Sequence, residues 1–341
     1  MPIPGGLINQ TFLVRSGGSN AAVLQRLNTD IFIPEVHDDI EAVTAHLADL
    51  KLATPRLRRT AVGCLWHSDA SGSVWRCMGY EGDRTVHRIE SVSDAWEAAC
   101  LVARFHAALR RFDWEFRSVR KDAHNTALHM EYLVAALRDY PSHTLSREVA
   151  RVADAILDQW DQCSGRRIAL CGELPRRIVH GDLKISNVRY TGSRAHCLID
   201  LDTLAIGTFD LDFGDALRSW CCLSTENDSD AVFDLDAFSA ALDGYHAGSV
   251  LFGDCEAPSE AEWEALIPGI ERIALELAAR FARDALEEKY FGWDSSRGSR
   301  GEHCLMRARC QLSLAKSIRA VTTHAHRALQ LARMRRYSKT V

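Results

Sequence analysis

The chain has 341 residues, 47% hydrophobic and 26% charged, with a net charge of −5 and a pI near 6.3. That balance fits a soluble globular enzyme with room for two lobes, and it offers no basic footprint for nucleic acid. No apolar run reaches the roughly 18–20 residues a bilayer requires, and Met1-Pro2-Ile3-Pro4-Gly5-Gly6 lacks the charged and apolar regions of a secretory signal. The expectation is a cytoplasmic protein with no membrane partner.

Eleven cysteines, an odd number without a Cys-x-x-Cys pair, argue for reduced thiols. Cys100, Cys197 and Cys310 sit inside apolar patterns, and Cys221-Cys222 lacks the second pair that a zinc site needs.

The N-terminal part reads as a small sheet. Gln10 to Val14, Ala22 to Leu27, Cys64 to His67 and Ser73 to Tyr80 are short strand-like runs, broken by Ser16-Gly17-Gly18-Ser19 and Asp69-Ala70-Ser71-Gly72. Val36, Ile40, Val43 and Leu47 recur at helical spacing, so one helix, carrying Glu41, packs on that sheet. The composition changes near residue 83. Ser93-Asp94 then opens a helix with Trp96, Ala99, Cys100 and Ala103 on one face, and helices dominate from there.

The most informative stretch interrupts them. His180-Gly181-Asp182-Leu183-Lys184-Ile185-Ser186-Asn187 is followed by two strand-like runs flanking Thr191-Gly192-Ser193, and the second run enters Ile199-Asp200-Leu201-Asp202. An isolated Asp-x-x-x-x-Asn is common by chance; the ordered set of strand, His, Asp, Lys, Asn, hairpin and Asp is not. It implies phosphoryl transfer, with Asp182 as the base that accepts a hydroxyl proton and Lys184 as a cation for charge developing on the phosphoryl group. Asn187 and Asp200 are the oxygen ligands for Mg2+. His180 reads as a backbone brace. Asp212-Phe213-Gly214 spells a metal motif of protein kinases but stands 30 residues after Asp182, beyond the strand that ends at Asp200. We read it as a decoy in which Asp212 or Asp215 caps the following apolar helix; its rival is metal binding by Asp212. Further on, Ser259-Glu260-Ala261-Glu262 is a capping box opening a long amphipathic helix that continues past Pro268. Arg333, Arg335, Arg336 and Lys339 read as a solvated helix end.

These residues resemble the aminoglycoside phosphotransferase and choline kinase superfamily, and within it the N-acetylhexosamine 1-kinases. The likeness is carried by Gly6-Leu7-Ile8-Asn9-Gln10-Thr11-Phe12-Leu13-Val14, by Leu24-Gln25-Arg26-Leu27-Asn28-Thr29 with Phe32, and by Ile199-Asp200-Leu201-Asp202-Thr203. Asp212-Phe213-Gly214-Asp215-Ala216-Leu217-Arg218 and Ala279-Arg280-Phe281 with Asp284, Leu286 and Glu287 extend it. The resemblance implies an α+β, two-lobed protein-kinase-like fold. It divides into a small antiparallel-sheet nucleotide lobe, residues 1–82, and a larger helical lobe, residues 83–341, with the catalytic loop and substrate pocket. It implies ATP and Mg2+ as cofactors and a sugar as the small-molecule substrate, phosphorylated at the anomeric hydroxyl of an N-acetylhexosamine.

For the nucleotide, the resemblance points to Gly5, Gly6, Asn9 and Thr11 as the phosphate-covering turn, although a plain turn is an equal reading without G-x-G-x-x-G. Met78 and Tyr80 would form the adenine hinge, by backbone groups. Where ordinary kinases carry a strand lysine, this chain has Gln25-Arg26. Alternation lets one of the two face the cleft, and resemblance favours Gln25. Only four residues precede Gly5, so the strand leading into the turn is either missing or begins upstream. For the sugar, the resemblance points to Asp202, Arg280, Asp284 and Tyr290. Arg280 and Asp284, one helical turn apart, read equally as an exposed ion pair, and His124-Asn125-Thr126 either borders the pocket or forms a loop. Two alternatives remain at this level: a kinase for another small alcohol such as an aminoglycoside, choline or homoserine, and an inactive relative that binds without catalysis.

Overall fold

The computed structural model describes residues 1–3, 8–120, 122–171, 174–225, 227–228, 230–253 and 258–338. Alternating strands build the N-terminal sheet: β1 (Gln10–Ser16), β2 (Ser19–Arg26), β3 (His67–Ser68) and β4 (Val74–Gly79), in the antiparallel order β1-β2-β4-β3. The register pairs Thr11 with Gln25 and Gln25 with Arg76, which brings these three side chains to one face. Residues 1–3 add a short further pairing on β1, with Ile3 N–H donating to Thr11 O at 2.8 Å and Leu13 N–H to Met1 O at 2.7 Å. The chain therefore pairs with β1 before residue 4, through a single bridge at Pro2. β3 is shorter than the pattern Cys64 to His67 predicts.

Helix α1 (Val36–Asp49) covers one face of the sheet, burying Val36, Ile40, Val43 and Leu47 as their spacing predicts. β5 (Arg84–Thr85) pairs with the catalytic hairpin, β7 (Val188–Thr191) and β8 (Arg194–Leu198), while β6 (Arg176–Val179) pairs with β9 (Ala205–Thr208). Helix α2 (Val92–Leu109) begins with a reciprocal cap ahead of the Ser93 that the sequence suggests: Ser91 is its N-cap and exchanges bonds with Asp94. Helices α3 (Thr126–Asp139), α4 (Ser146–Cys171), α5 (Phe209–Trp220), α6 (Leu235–Leu251), α7 (Glu260–Glu287), α8 (Arg300–Ala320) and α9 (Thr322–Ser338) complete the helical part. The box at Ser259 and Glu262 opens α7, and Pro268 lies inside it without ending it. One continuous apolar core runs from α1 through α2 and the hairpin to α7 and α8. Cys100 on α2, Cys197 on β8 and Cys310 on α8 are buried thiols outside any disulfide.

Candidate active site

The loop between β6 and β7 is held by its backbone. Asp212, on α5, accepts from the N–H groups of His180 (3.0 Å) and Gly181 (2.8 Å) and bonds His106 Nε2 of α2 at 2.9 Å. Burial pushes the Asp212 carboxyl up, but the His106 bond outweighs it and leaves the group below its ordinary range. His106 is pushed down by burial, and its Nδ1 meets the Tyr245 hydroxyl at 2.9 Å. Asp212 is thus no metal ligand in this geometry. It is not a cap either: Thr208 is the N-cap of α5, no side chain caps it, and Asp215 pairs with Arg218 at 2.9 Å. Both cap readings are corrected.

His180 is the brace expected of it. Its Nδ1 accepts from the Asp182 N–H at 3.3 Å, so Nε2 carries the proton and donates to Ile199 O at 3.0 Å. Gly181 sits at φ +80°, and a Cβ there would stand 2.5 Å from Thr203 O, so this position admits glycine alone. The carbonyl of Gly181 receives His124 Nε2 at 3.2 Å.

This scaffold leaves the reactive side chains open. Asp182, Lys184 and Asp200 keep 28%, 39% and 40% of their side-chain surface exposed, enough to admit a ligand. Lys184 Nζ lies 2.5 Å from Asp182 Oδ2 and 4.0 Å from Asp200 Oδ2. Both amide protons of Asn187 go to Asp182, 2.8 Å to its carbonyl and 3.0 Å to Oδ2, so the Asn187 oxygen is left as an acceptor. For Asp182, burial raises the carboxyl, but the charge and hydrogen bond of Lys184 prevail and hold it low. Asp200 is held high, by burial first and then by the charges of Asp202 and Asp182, against Lys184. Two carboxylates competing for one ammonium, beside an open amide oxygen, are the donor set and the charge surplus that a divalent cation fits. Among the described residues no cluster of three or more His, Cys, Asp or Glu is placed to hold a metal, so water and phosphate would complete the coordination of an ion held by Asn187 and Asp200.

Asp202 does not face substrate. It is fully buried, takes a two-point contact from Arg76 of β4, with Nη2 2.7 Å from Oδ2, and accepts from Asn9 Nδ2 at 2.8 Å. Asn9 likewise turns inward: its oxygen accepts the Asn28 N–H at 2.9 Å. Gln25 bridges Thr11 Oγ1 (3.1 Å) and Arg76 Nε (2.9 Å), while Arg26 is exposed. Thr11 and Gln25 therefore bind each other and Arg76, and Asn9 binds Asp202 and the Asn28 backbone, rather than presenting unengaged side chains to a nucleotide. Gly5 and Gly6 lie outside the described residues.

Met78, on β4, packs against the core, and the chain leaves β4 through Tyr80 and Glu81. Arg189 of β7 clamps this crossing. It donates to Glu81 O (2.9 Å), Gly82 O (2.9 Å) and the Tyr80 hydroxyl (3.0 Å), with its guanidinium 5.1 Å from the Tyr80 ring centre. The Tyr80 side chain is thus turned to the hairpin, which leaves recognition there to backbone. Gly82, at φ +64°, abuts Tyr190 O, where a Cβ would be 2.8 Å away.

Beyond the loop, α7 carries Glu276 and Arg280. His124 Nδ1 lies 3.0 Å from Glu276 Oε1, and Thr126 donates to Oε2 at 2.6 Å. Burial would lower His124, but the bond and charge of Glu276 outweigh it and raise the imidazole; Glu276 is correspondingly held down to about 2. With one nitrogen on a carboxylate and the other on the Gly181 carbonyl, His124 donates from both and carries a positive charge. Arg280 and Arg120 both reach the Tyr290 hydroxyl, at 3.4 and 3.1 Å. Asp284 is buried and accepts the N–H groups of Lys289 (2.9 Å), Tyr290 (2.7 Å) and Phe291 (2.8 Å). It shapes the turn that presents Tyr290, and neither contacts substrate nor pairs with Arg280.

Sequence reasoning missed Arg76, Arg120 and Arg189. Arg76 had a usable signal: Val74 and Arg76 alternate onto the buried face of β4, and a charge on that face demands a partner.

The chain is similar to known proteins. The model of the phosphotransferase enzyme family matches residues 1–249. A curated homoserine kinase from Methylobacillus flagellatus is 31% identical over 147 residues, which is 43% of this chain and 39% of that protein, so the likeness spans well under half of the relative. Among solved structures, the amicoumacin kinase hAmiN in complex with AMP-PNP, Ca2+ and Ami gives a TM-score of 0.61 at 15% identity, over 92% of this chain and 87% of its own. A choline/ethanolamine kinase family protein from Mesorhizobium loti gives 0.56 at 15% identity, over 97% and 91%. At such identities the likeness establishes the protein-kinase-like fold. No helix among the described residues is long and apolar enough to cross a membrane.

Proposed function

We propose that this chain, which belongs to the phosphotransferase enzyme family, is a sugar kinase within it, moving the γ-phosphoryl group of ATP onto the anomeric hydroxyl of an N-acetylhexosamine. Phosphorylation of a small-molecule hydroxyl is the chemistry of that family. Asp182 orients the acceptor hydroxyl and takes its proton as the oxygen attacks the γ-phosphorus; the β–γ bond breaks, ADP leaves, and no covalent enzyme intermediate forms. Lys184 stabilises negative charge on the transferring group. Asn187 and Asp200 would hold Mg2+, which when bound supplies the neutralisation of the nucleotide phosphates.

The observation that carries the sugar assignment is the charge of the acceptor side. Aminoglycosides and choline are cations and call for acidic or aromatic walls. Here the acids Glu276 and Asp284 are consumed by His124 and by backbone N–H groups, while Arg120 and Arg280 converge on the Tyr290 hydroxyl and a charged His124 spends its two nitrogens on Glu276 and the Gly181 carbonyl. Donors of this kind suit hydroxyl and acetamido oxygens. The same two arginines favour a second reading, an amino-acid alcohol with a carboxylate, in line with the partial likeness to a homoserine kinase. ADP release measured with N-acetylglucosamine, N-acetylgalactosamine, galactose, homoserine, choline and kanamycin separates them, with phosphorus NMR locating the phosphate. Turnover on an N-acetylhexosamine at the anomeric position is expected. Preference for homoserine would install the second reading, and preference for choline or kanamycin would overturn both.

A further inference from the structure

The missing strand lysine has a structural counterpart elsewhere. Arg76 and Asp202 each expose 1% of their side-chain surface and meet at two points, joining the strand that leads to the hinge with the 3-10 turn Leu201–Thr203. Asp200 is the residue that starts this turn, and it adopts the left-handed conformation at φ 66°, ψ 52°. A non-glycine residue holds such a conformation when its surroundings dictate it. Two contacts do so: Asp202 anchored on Arg76, and Thr203 Oγ1 donating to His180 O at 2.8 Å. Through Asn9, the same carboxylate also holds the chain just after residues 4–7.

The N-terminal helix supplies no carboxylate for this arginine. Glu41 of α1 turns away to Arg56 at 3.3 Å and Arg59 at 3.1 Å. His37, also on α1, donates from Nδ1 to Pro34 O at 2.6 Å, leaving Nε2 without a partner, and burial followed by the charge of Arg76 drives its pKa down to about 4. Where a protein kinase pairs a strand lysine with a helix glutamate, this chain pairs a strand arginine with the turn that follows Asp200.

We infer that Arg76 and Asp202 form an interlobe strut that positions Asp200 toward a divalent cation, so that the N-terminal sheet acts on the metal ligand through this pair rather than by a lysine on the phosphates. Arg76 and Asp202 are positioning residues, and the role rests on the reading of Asp200 as a metal ligand. Partners of this kind, one step removed from the ion, change metal affinity by about 10–100-fold when lost.

The test measures binding of AMP-PNP to the full chain as Mg2+ is titrated, together with amide hydrogen exchange at residues 199–203 without nucleotide. Asp202→Asn should raise the Mg2+ concentration for half-maximal binding by about 10–100-fold and speed exchange at 199–203. Arg76→Lys, the milder change, should produce a smaller shift in the same direction, which keeps the test open if the first variant folds poorly. A folded Asp202→Asn protein with unaltered Mg2+ dependence would overturn the strut, provided Asp200→Ala abolishes that dependence. Should Asp200→Ala leave it unaltered, the metal-ligand reading falls instead, and exchange decides the strut: faster exchange supports it and unchanged exchange overturns it.

Discussion

The loop that carries Asp182 and the N-terminal sheet, joined through the Arg76–Asp202 pair, are built by opposite arrangements. In the loop, backbone groups are saturated by Asp212, His180, Thr203 and His124, while Asp182, Lys184 and Asp200 stay open to ligand. In the sheet, the side chains are saturated: Asn9, Thr11, Gln25 and Arg76 bind one another and Asp202. The loop thus combines a braced backbone with part-exposed charged side chains. Side chains locked to one another and to Asp202 tie the sheet to the turn that follows Asp200.

The largest effect is expected where a free side chain is removed. Asp182→Asn keeps the shape and the Lys184 contact but not the base, so kcat should fall about 10²- to 10⁴-fold while AMP-PNP affinity changes little. Retained turnover would remove Asp182 from the chemistry.

Removing a brace should register as stability. Asp212→Ala leaves the N–H groups of His180 and Gly181 and the His106 ring without their acceptor, at a cost of about 3–5 kcal/mol, readable in denaturant unfolding. If instead the variant is stable and loses only Mg2+-dependent binding, Asp212 is a ligand and not a brace.

The His124–Glu276 pair gives a pH dependence whose sign follows from the two shifts. A raised histidine stabilises the fold below its ordinary value of 6.5 and loses that contribution as pH climbs through the higher folded value. Glu276, held down to about 2, stabilises above its ordinary value of 4.5 and loses the contribution as pH falls toward 2. The stability gap between the native protein and His124→Gln should therefore be widest between pH 4.5 and 6.5 and narrow on either side. A gap that widens above pH 7 would contradict a charged His124.

The smallest effect belongs to the acceptor rim. Arg280→Ala removes a donor that is part-exposed and shares Tyr290 with Arg120, so the acceptor KM should rise roughly tenfold, about 1.4 kcal/mol, at nearly unchanged kcat. An equal loss in kcat would place Arg280 nearer the reacting atoms.

What the sequence disclosed follows the same division. Asp182, Lys184 and Asn187 sit in one short loop, so spacing alone brings them together, and the hairpin that returns Asp200 was visible from Thr191-Gly192-Ser193. Asp202 was assigned to the sugar by resemblance, and no local pattern shows that the chain turns left-handed at Asp200 and enters a 3-10 turn in which Asp202 is buried. Asp284 was misread because helical spacing set it beside Arg280, whereas the end of α7 needs an acceptor for residues 289–291. Arg76, Asn9 and Gln25 depend on cross-strand register, which no local pattern in any single strand specifies.

The most direct test is a crystal structure with AMP-PNP and Mn2+ in place of Mg2+, the ion located by its anomalous signal. The account predicts a peak about 2.1–2.2 Å from the Asn187 side-chain oxygen and an Asp200 carboxylate oxygen, with Asp182 facing the acceptor space. A peak on Asp212, or one that touches neither Asn187 nor Asp200, would contradict it.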